Sequence, residues 1–333
     1  MRLPKLKLSR YSLLFAVIVF FIFLEALIIS PRVLEKPTDE HVEYDKIKAM
    51  ADSKKKDSVE QKMVGVHYVE NSPTSKGWEL FATEASGTAD SQWILKKVKV
   101  QFFTNDDSSF TVTGEVGEVD GASKDMIIRG NVTTTSSNGY SFKTASLKYV
   151  AKLKQMTSTD AVEMIGPPDA KGSGFKLNGV GLLVDIQKNK MTILDQVEAE
   201  KVIENKNFTL KSSTAEFSNK SQEALFSGQV KMKLGPTFVE APNAFFKTAP
   251  KTKALQKITL YKGVKMAELD KKATCEEIEF DLEADKMTLR GHPRVQQGDD
   301  EIVGQEIVFL DGGKKVKINQ VEVKGQDPKG RKK

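Results

Sequence analysis

The chain has 333 residues, 39% of them hydrophobic, and a formal net charge of +6. This leaves room for one anchor and one or two domains, and is too polar for a multi-span membrane protein. The positive charge is spread as single lysines between apolar residues, the pattern of a solvated sheet face and not of a nucleic-acid groove. Cys275 is the single cysteine, so no internal disulfide can form; in a strand-like run it reads as a small buried residue.

The first ten residues, "MRLPKLKLSR", carry Arg2, Lys5, Lys7 and Arg10 and no acid. Residues 11–30 are apolar apart from Ser12, Glu25 and Ser30. At about 1.5 Å per residue this run just crosses roughly 30 Å of hydrocarbon. The preceding positive charges predict a cytoplasmic N-terminus. Glu25 falls near the outer end, where a carboxylate can reach the interface. No small-x-small cleavage site follows, only Ile28, Ile29 and Pro31, so an uncleaved anchor is expected over a cleaved signal peptide. The expectation is a single-pass inner-membrane protein with its bulk in the periplasm of a Gram-negative cell. Residues 31–61 are highly charged and read as a linker.

From Val64 onward, period-two alternation and turn signals replace any helical pattern. "SSNGYSF" contains Asn138-Gly139, a strong hairpin signal. Near the end, "RVQQGDDEIVGQEIVFLDGG" reads as a strand, a polar turn, and a second strand closed by Asp-Gly-Gly. Strand-like runs beginning at Phe110, Phe142, Phe175, Phe208 and Phe238 recur at spacings of 32, 33, 33 and 30 residues. Between them lie look-alike strands such as "MIIRGNVTT" and "ALFSGQVKM". A repeat of this length predicts a stacked architecture in which each two-strand unit extends its neighbour's core. The fold class expected is all-β, two facing sheets of stacked hairpins with an apolar interior. That interior is either a packed core or an adaptable Phe- and Met-lined groove.

Catalytic chemistry is missing. His41, His67 and His292 pair with no cysteine or carboxylate at metal-ligand spacing. No phosphate-binding loop or nucleophile motif is present, and Gly179-x-Gly181 is not followed by a helical pattern. The densest acidic run, "CEEIEFDLEAD", alternates Glu277, Glu279 and Asp281 with Ile278, Phe280 and Leu282, a wet face opposite a core face. A polysaccharide-cleaving solenoid would need two facing carboxylates, and none stand out. The expectation is a non-enzyme with no catalytic residue, no metal and no cofactor.

At this point a resemblance enters. "GVHYVENSPTSKGWELFATEASGTADSQWILKKVKVQFF" resembles the opening of the LptC family of lipopolysaccharide-export proteins, through Gly65, Val66, Trp78, Leu80, Ala82, Leu95 and Val98. "IIRGNVTTTSSNGYSFKTASLKYV" continues it with Gly130, Val132, Gly139, Thr144, Leu147 and Tyr149. The second half is similar to LptA, an OstA-like periplasmic bridge protein. Its marks are "AEFSNKSQEALFSGQVKM" and the series Val295, Gln296, Gln297, Gly298, Asp299, Gly304 and Ile307. LptC-like proteins normally carry one such domain; this chain carries a second.

The resemblance implies a β-jellyroll whose slot holds acyl chains while sugars and phosphates stay in water. It divides the chain into an LptC-like part, 62–202, an LptA/OstA-like part, 203–325, and a basic tail, 326–333. The implied partners are lipopolysaccharide through its lipid A acyl chains, an inner-membrane ABC transporter, and a bridge protein or outer-membrane translocon. Alternation selects Ile128, Val132, Phe142, Phe175, Ile193, Phe208, Phe226, Val230, Met232, Phe246, Leu260, Val264, Phe280 and Leu289 as inward residues and candidate lipid contacts. Ordinary core packing is the competing reading for each. Edge strands marked by Val64, Val66 and Val69, and by Val316, Ile318, Val321 and Val323, would pair with partners by strand addition. A ligand-free scaffold of the cell envelope is the alternative function.

Overall fold

The computed structural model describes residues 61–72, 75–88, 92–104, 108–169, 174–203, 205–218, 220–319 and 322–323. The predicted anchor, nearly all of the linker, the basic tail and Val321 lie outside these residues. Among the described residues no helix is long and apolar enough to cross a membrane.

The strands are β1 (Gln61–Ser72), β2 (Ser75–Gly87), β3 (Gln92–Phe103), β4 (Ser109–Asp120), β5 (Met126–Ser136), β6 (Ser141–Val150) and β7 (Gln155–Ile165). They continue as β8 (Lys176–Asp185), β9 (Lys190–Ile203), β10 (Lys206–Ser212), β11 (Thr214–Ser218), β12 (Glu223–Leu234), β13 (Thr237–Thr248) and β14 (Leu255–Glu268). The last are β15 (Lys271–Asp281), β16 (Lys286–Arg290), β17 (Arg294–Gln297), β18 (Asp300–Val303), β19 (Glu306–Leu310), β20 (Lys315–Asn319) and β21 (Glu322–Val323). All 21 belong to one sheet, and every pairing is antiparallel, mostly between chain neighbours.

The sheet is folded on itself. On β12, Leu234 pairs with Phe208 while Ala224, ten residues away, pairs with Phe246. A straight strand would hold those ends about 33 Å apart. Yet the Phe208 and Phe246 rings are 5.9 Å apart. Phe102 on β3 and Tyr149 on β6, which lie toward opposite ends of the strands, likewise meet at 4.6 Å. Each long strand therefore bends midway and contributes one half to each of two facing layers.

The bend has a backbone cause. β5, β12 and β14 each carry one residue more than both neighbours, at Gly130-Asn131, Gly228-Gln229 and Lys262-Gly263. Both residues of each pair have positive φ. A bulge of this kind bends and twists the strand. In β5 and β12 the runs Gly130-Asn131-Val132 and Gly228-Gln229-Val230 are thus corners of the fold, and Ile128 and Val132 are buried on either side of the first.

Two features differ from the sequence reading. The layers are two halves of one continuous sheet, not two separate facing sheets. The terminal strand-like runs are also divided: β17 and β18 extend one layer, and β16, β19 and β20 the other. The single last strand expected over Lys315–Val323 is split into β20 on β19 and β21 on β18. In each case the chain crosses between layers and cannot stay in one ladder.

The buried apolar residues of both layers form one cluster. The acidic run behaves as its alternation predicts. Ile278 and Phe280 are buried, while Glu277 and Glu279 lie on the outer face, bridged by Arg290. Cys275 is buried and its thiol is pushed up to about 12 by desolvation.

Gly228 should resist substitution more than Gly263. Both need positive φ, but a Cβ on Gly228 would sit 2.4 Å from the Ser213 hydroxyl, whereas Gly263 has nothing within 4 Å. Gly263→Ala should cost on the order of 1 kcal/mol in urea unfolding, and Gly228→Ala clearly more, roughly 2–3. Equal losses would refute the packing part of this account.

Candidate lipid-binding groove

Because each strand runs from one layer to the other, the turns fall in two rows. One rim holds the turns β3–β4, β5–β6, β7–β8, β9–β10, β12–β13 and β14–β15. The other holds β4–β5, β6–β7, β8–β9, β11–β12, β13–β14 and β15–β16. The bulged corners close one long side of the interior, and the two rims face each other across the other.

Inside each layer the cross-strand pairs line up into an unbroken row. In one, Phe142, Met164, Leu177, Ala199, Leu210 and Met232 follow one another strand by strand. In the facing layer, Met156, Val184, Met191, Phe217, Ala224 and Phe246 do the same. Both rows pass through the β9–β10–β11–β12 region without a break.

Three pockets open between the rims, each partly open to solvent. The first is walled by Tyr68, Trp78, Leu80, Trp93 and Leu95, with the Lys124 ammonium 5.6 Å from the centre of the Tyr68 ring. Trp78 and Trp93 are the only tryptophans of the chain. The second is an aromatic chain. Phe175 stacks on Phe217 at 5.7 Å, Phe217 meets Phe226 at 5.9 Å, Phe226 meets Phe246 at 4.9 Å, and Tyr140 closes one end. Burial pushes the Tyr140 phenol up to about 12, so it stays protonated. At the mouth the Lys201 ammonium lies 2.8 Å from Asp169, and Lys253 donates to Gln222 at 2.8 Å. The third pocket, toward the C-terminal end, includes Leu234, Met266, Phe280, Met287 and Phe309 with Lys206, Lys271 and Lys286.

The fourteen residues selected by alternation all join the core cluster: thirteen are buried and Phe175 is half-buried. They fall into two groups. Ile128, Val132, Ile193, Val230, Leu260, Val264 and Leu289 lie within three residues of a positive-φ corner and line none of the three pockets, although Phe226 and Met232 lie equally near the corner at Gly228-Gln229. Phe175, Phe208, Phe226 and Phe246 come together in the aromatic pocket, and Phe280 lines the third. Phe142 and Met232 lie in the layer rows and line none of the three. Alternation missed Tyr68, Trp93, Tyr140 and Phe217. Tyr140 follows the Asn-Gly turn directly, and the two tryptophans fall fifteen residues apart in adjacent strands; these were the available signals.

The edge residues are distributed as follows. Val64 and Val69 are exposed and Val66 is half-buried on β1, which among the described residues pairs with β2 alone. Val316 is exposed and Ile318 half-buried on β20, and Val323 is in β21. No group of three or more His, Cys, Asp or Glu that could hold a metal occurs among the described residues.

Residues 38–201 match the family described as "Lipopolysaccharide-assembly, LptC-related". Residues 209–311 match "LptA/(LptD N-terminal domain) LPS transport protein". The chain joins an LptC-related domain to an LptA-type domain. It is a lipopolysaccharide-transport protein of LptC/LptA type, and these transport families are not enzymes. No curated protein matches the chain. Among solved structures, it is similar to LptH, the LptA-homologous periplasmic component of the lipopolysaccharide transport device from Pseudomonas aeruginosa. The identity is 18%, the match covers 36% of this chain and 90% of that one, and the TM-score is 0.31. The two family matches meet in the β9–β10 hairpin, which is seven pairs long.

Groove-lining and core-filling positions should separate energetically. Phe142→Ala leaves a sealed void and should cost about 3–5 kcal/mol. Phe226→Ala enlarges space already open to water and should cost at least about 1 kcal/mol less in the same urea titration. Equal costs would make Phe226 plain core.

Proposed function

We propose that the chain is a membrane-anchored periplasmic carrier. It receives lipopolysaccharide from an inner-membrane ABC transporter and passes it along the slot toward the outer membrane. The observation that carries this reading is the apolar interior that runs unbroken from the LptC-related part into the LptA-type part, with pockets at its first strands, its midpoint and its far end. Acyl chains held by apolar contact have no preferred direction and can move from rung to rung at nearly equal free energy. Direction would come from ATP hydrolysis in the transporter.

In this reading residues 1–10 are cytoplasmic, 11–30 span the inner membrane and 31–61 hold the slot away from it. The LptC-like part, 62–202, receives the lipid and the LptA-like part, 203–325, delivers it. The exposed backbone edge of β1, with Val64, Val66 and Val69, would add to a strand of the transporter's periplasmic domain. The opposite edge, with Val316, Ile318, Val321 and Val323, would meet a bridge protein or the outer-membrane translocon.

The test is photo-crosslinking in cells, with a reactive residue placed in the full chain at Trp93, Phe142 or Phe226. Light-dependent adducts to lipopolysaccharide are expected at Trp93 and Phe226, and both should vanish when the transporter's ATPase is disabled. Adducts at Trp93 and Phe142 but not Phe226 would confine transport to the LptC-like half. No adduct at any site in a folded chain would leave a ligand-free scaffold.

A further inference from the structure

The two rims differ in charge. On one, Lys124, Lys154, Lys188, Lys220 and Lys253 stand in successive turns and Lys286 opens β16 just after the next, at spacings of 30, 34, 32, 33 and 33 residues; the acids of these turns are Asp125, Glu283 and Asp285. These spacings follow the structural repeat, so one lysine appears per two-strand unit. Adjacent members stand about 10 Å apart along the rim, two strand spacings. The opposite rim has no such row. Its β5–β6 and β12–β13 turns are uncharged, the β17–β18 turn carries Asp299 with Asp300 next to it, and Lys271 directly follows Asp270 of the β14–β15 turn.

The rim lysines are also short of partners. Elsewhere on the surface lysines pair readily, as in Lys190–Glu216, Lys211–Glu198, Lys231–Glu240 and Lys257–Glu279. In the rim row Lys188 pairs with Asp185. Lys124 and Lys253 hydrogen-bond to the neutral Gly121 carbonyl and Gln222, with the Asp120 carboxylate near Lys124, and no carboxylate forms a salt bridge with Lys154, Lys220 or Lys286 among the described residues. Each of the three pockets, moreover, takes one member of this row into its lining: Lys124, Lys253 and Lys286.

We infer that this lysine-bearing rim is a binding rail for the phosphate-bearing headgroup of the amphiphile in the slot. The acyl chains lie between the layers, and an anionic group stays in water against the ammonium at each mouth. Because the lysines recur with the strand repeat, a headgroup leaving one meets the next at the same height above the slot. The inference rests on the carrier reading and adds to it a ligand charge, a side of the slot and named residues.

The test is equilibrium binding of two radiolabelled probes, lipid A with its phosphates and dephosphorylated lipid A, to the full chain in nanodiscs of zwitterionic lipid. The unmodified chain should prefer the phosphorylated probe by roughly tenfold or more, as charge-assisted contacts allow, and the preference should shrink with added salt. The triple variant Lys124→Gln, Lys253→Gln and Lys286→Gln should bind both probes alike, at the affinity of the dephosphorylated one. A control triple on the exposed outer face, Lys99→Gln, Lys143→Gln and Lys233→Gln, should keep the preference. Equal binding of both probes by the unmodified chain, or equal loss of preference in the two triples, would overturn the rail. Failure of the unmodified chain to bind either probe would instead sink the carrier reading on which it stands.

Discussion

The architecture depends on one backbone event, repeated: two consecutive residues of positive φ in the middle of a long strand. Where Gly130-Asn131, Gly228-Gln229 and Lys262-Gly263 take that conformation, the strand gains a residue over its neighbours and turns through a corner. Stacking the corners closes one side of the molecule. The same event that makes an interior leaves its opposite side as two rows of turns. The apolar slot, its closed spine and its open seam thus follow from a single local distortion.

This also explains how much of the protein its sequence discloses. Alternation and turn residues announce an all-β chain, and the 32- and 33-residue spacings of Phe110, Phe142, Phe175 and Phe208 announce the stack. The next step, to Phe238, is 30 residues, and there the pattern fails: Phe238 pairs with Lys233 on the outer face, while its neighbour Val239 is buried. The corners are hidden because non-glycine residues such as Lys97, Gln196 and Lys262 adopt positive φ as well. No composition rule marks those positions. Alternation therefore finds inward residues but cannot say which lie at the spine and which at the seam. Distance from a corner does not settle it either: Leu260 and Phe226 each lie two residues before one, yet Leu260 packs as core and the Phe226 ring lines a pocket.

Packing and transport make opposite demands on the same residues. A domain core gains stability by filling space, and a carrier must leave space that can be filled and vacated. The layers resolve this by position. Branched residues such as Val132, Val230 and Val264 are buried at the corners, whereas the Phe208–Phe246 and Phe217–Phe226 ring pairs meet edge-on at 5.9 Å and line a pocket. Aromatic contacts of this kind contribute about 0.5–1.5 kcal/mol each beyond burial. A sliding acyl chain can replace them at modest cost.

Joining the two family domains in one chain changes the junction between them. Two separate jellyrolls that meet edge to edge would form a bimolecular ladder, and its occupancy would fall with dilution. Here β9 and β10 form a hairpin, and β11 and β12 continue both layers beyond it. Covalent connection turns edge pairing into an intramolecular event, with an effective concentration far above that of any free partner. Register is fixed as well, since a one-residue slip would turn every inward ring to solvent. The aromatic pocket sits at this junction, drawing Tyr140 and Phe175 from the LptC-related side and Phe226 and Phe246 from the LptA-type side. A pocket with walls from both domains can form only when the two layers continue in register, and the hairpin guarantees that they do.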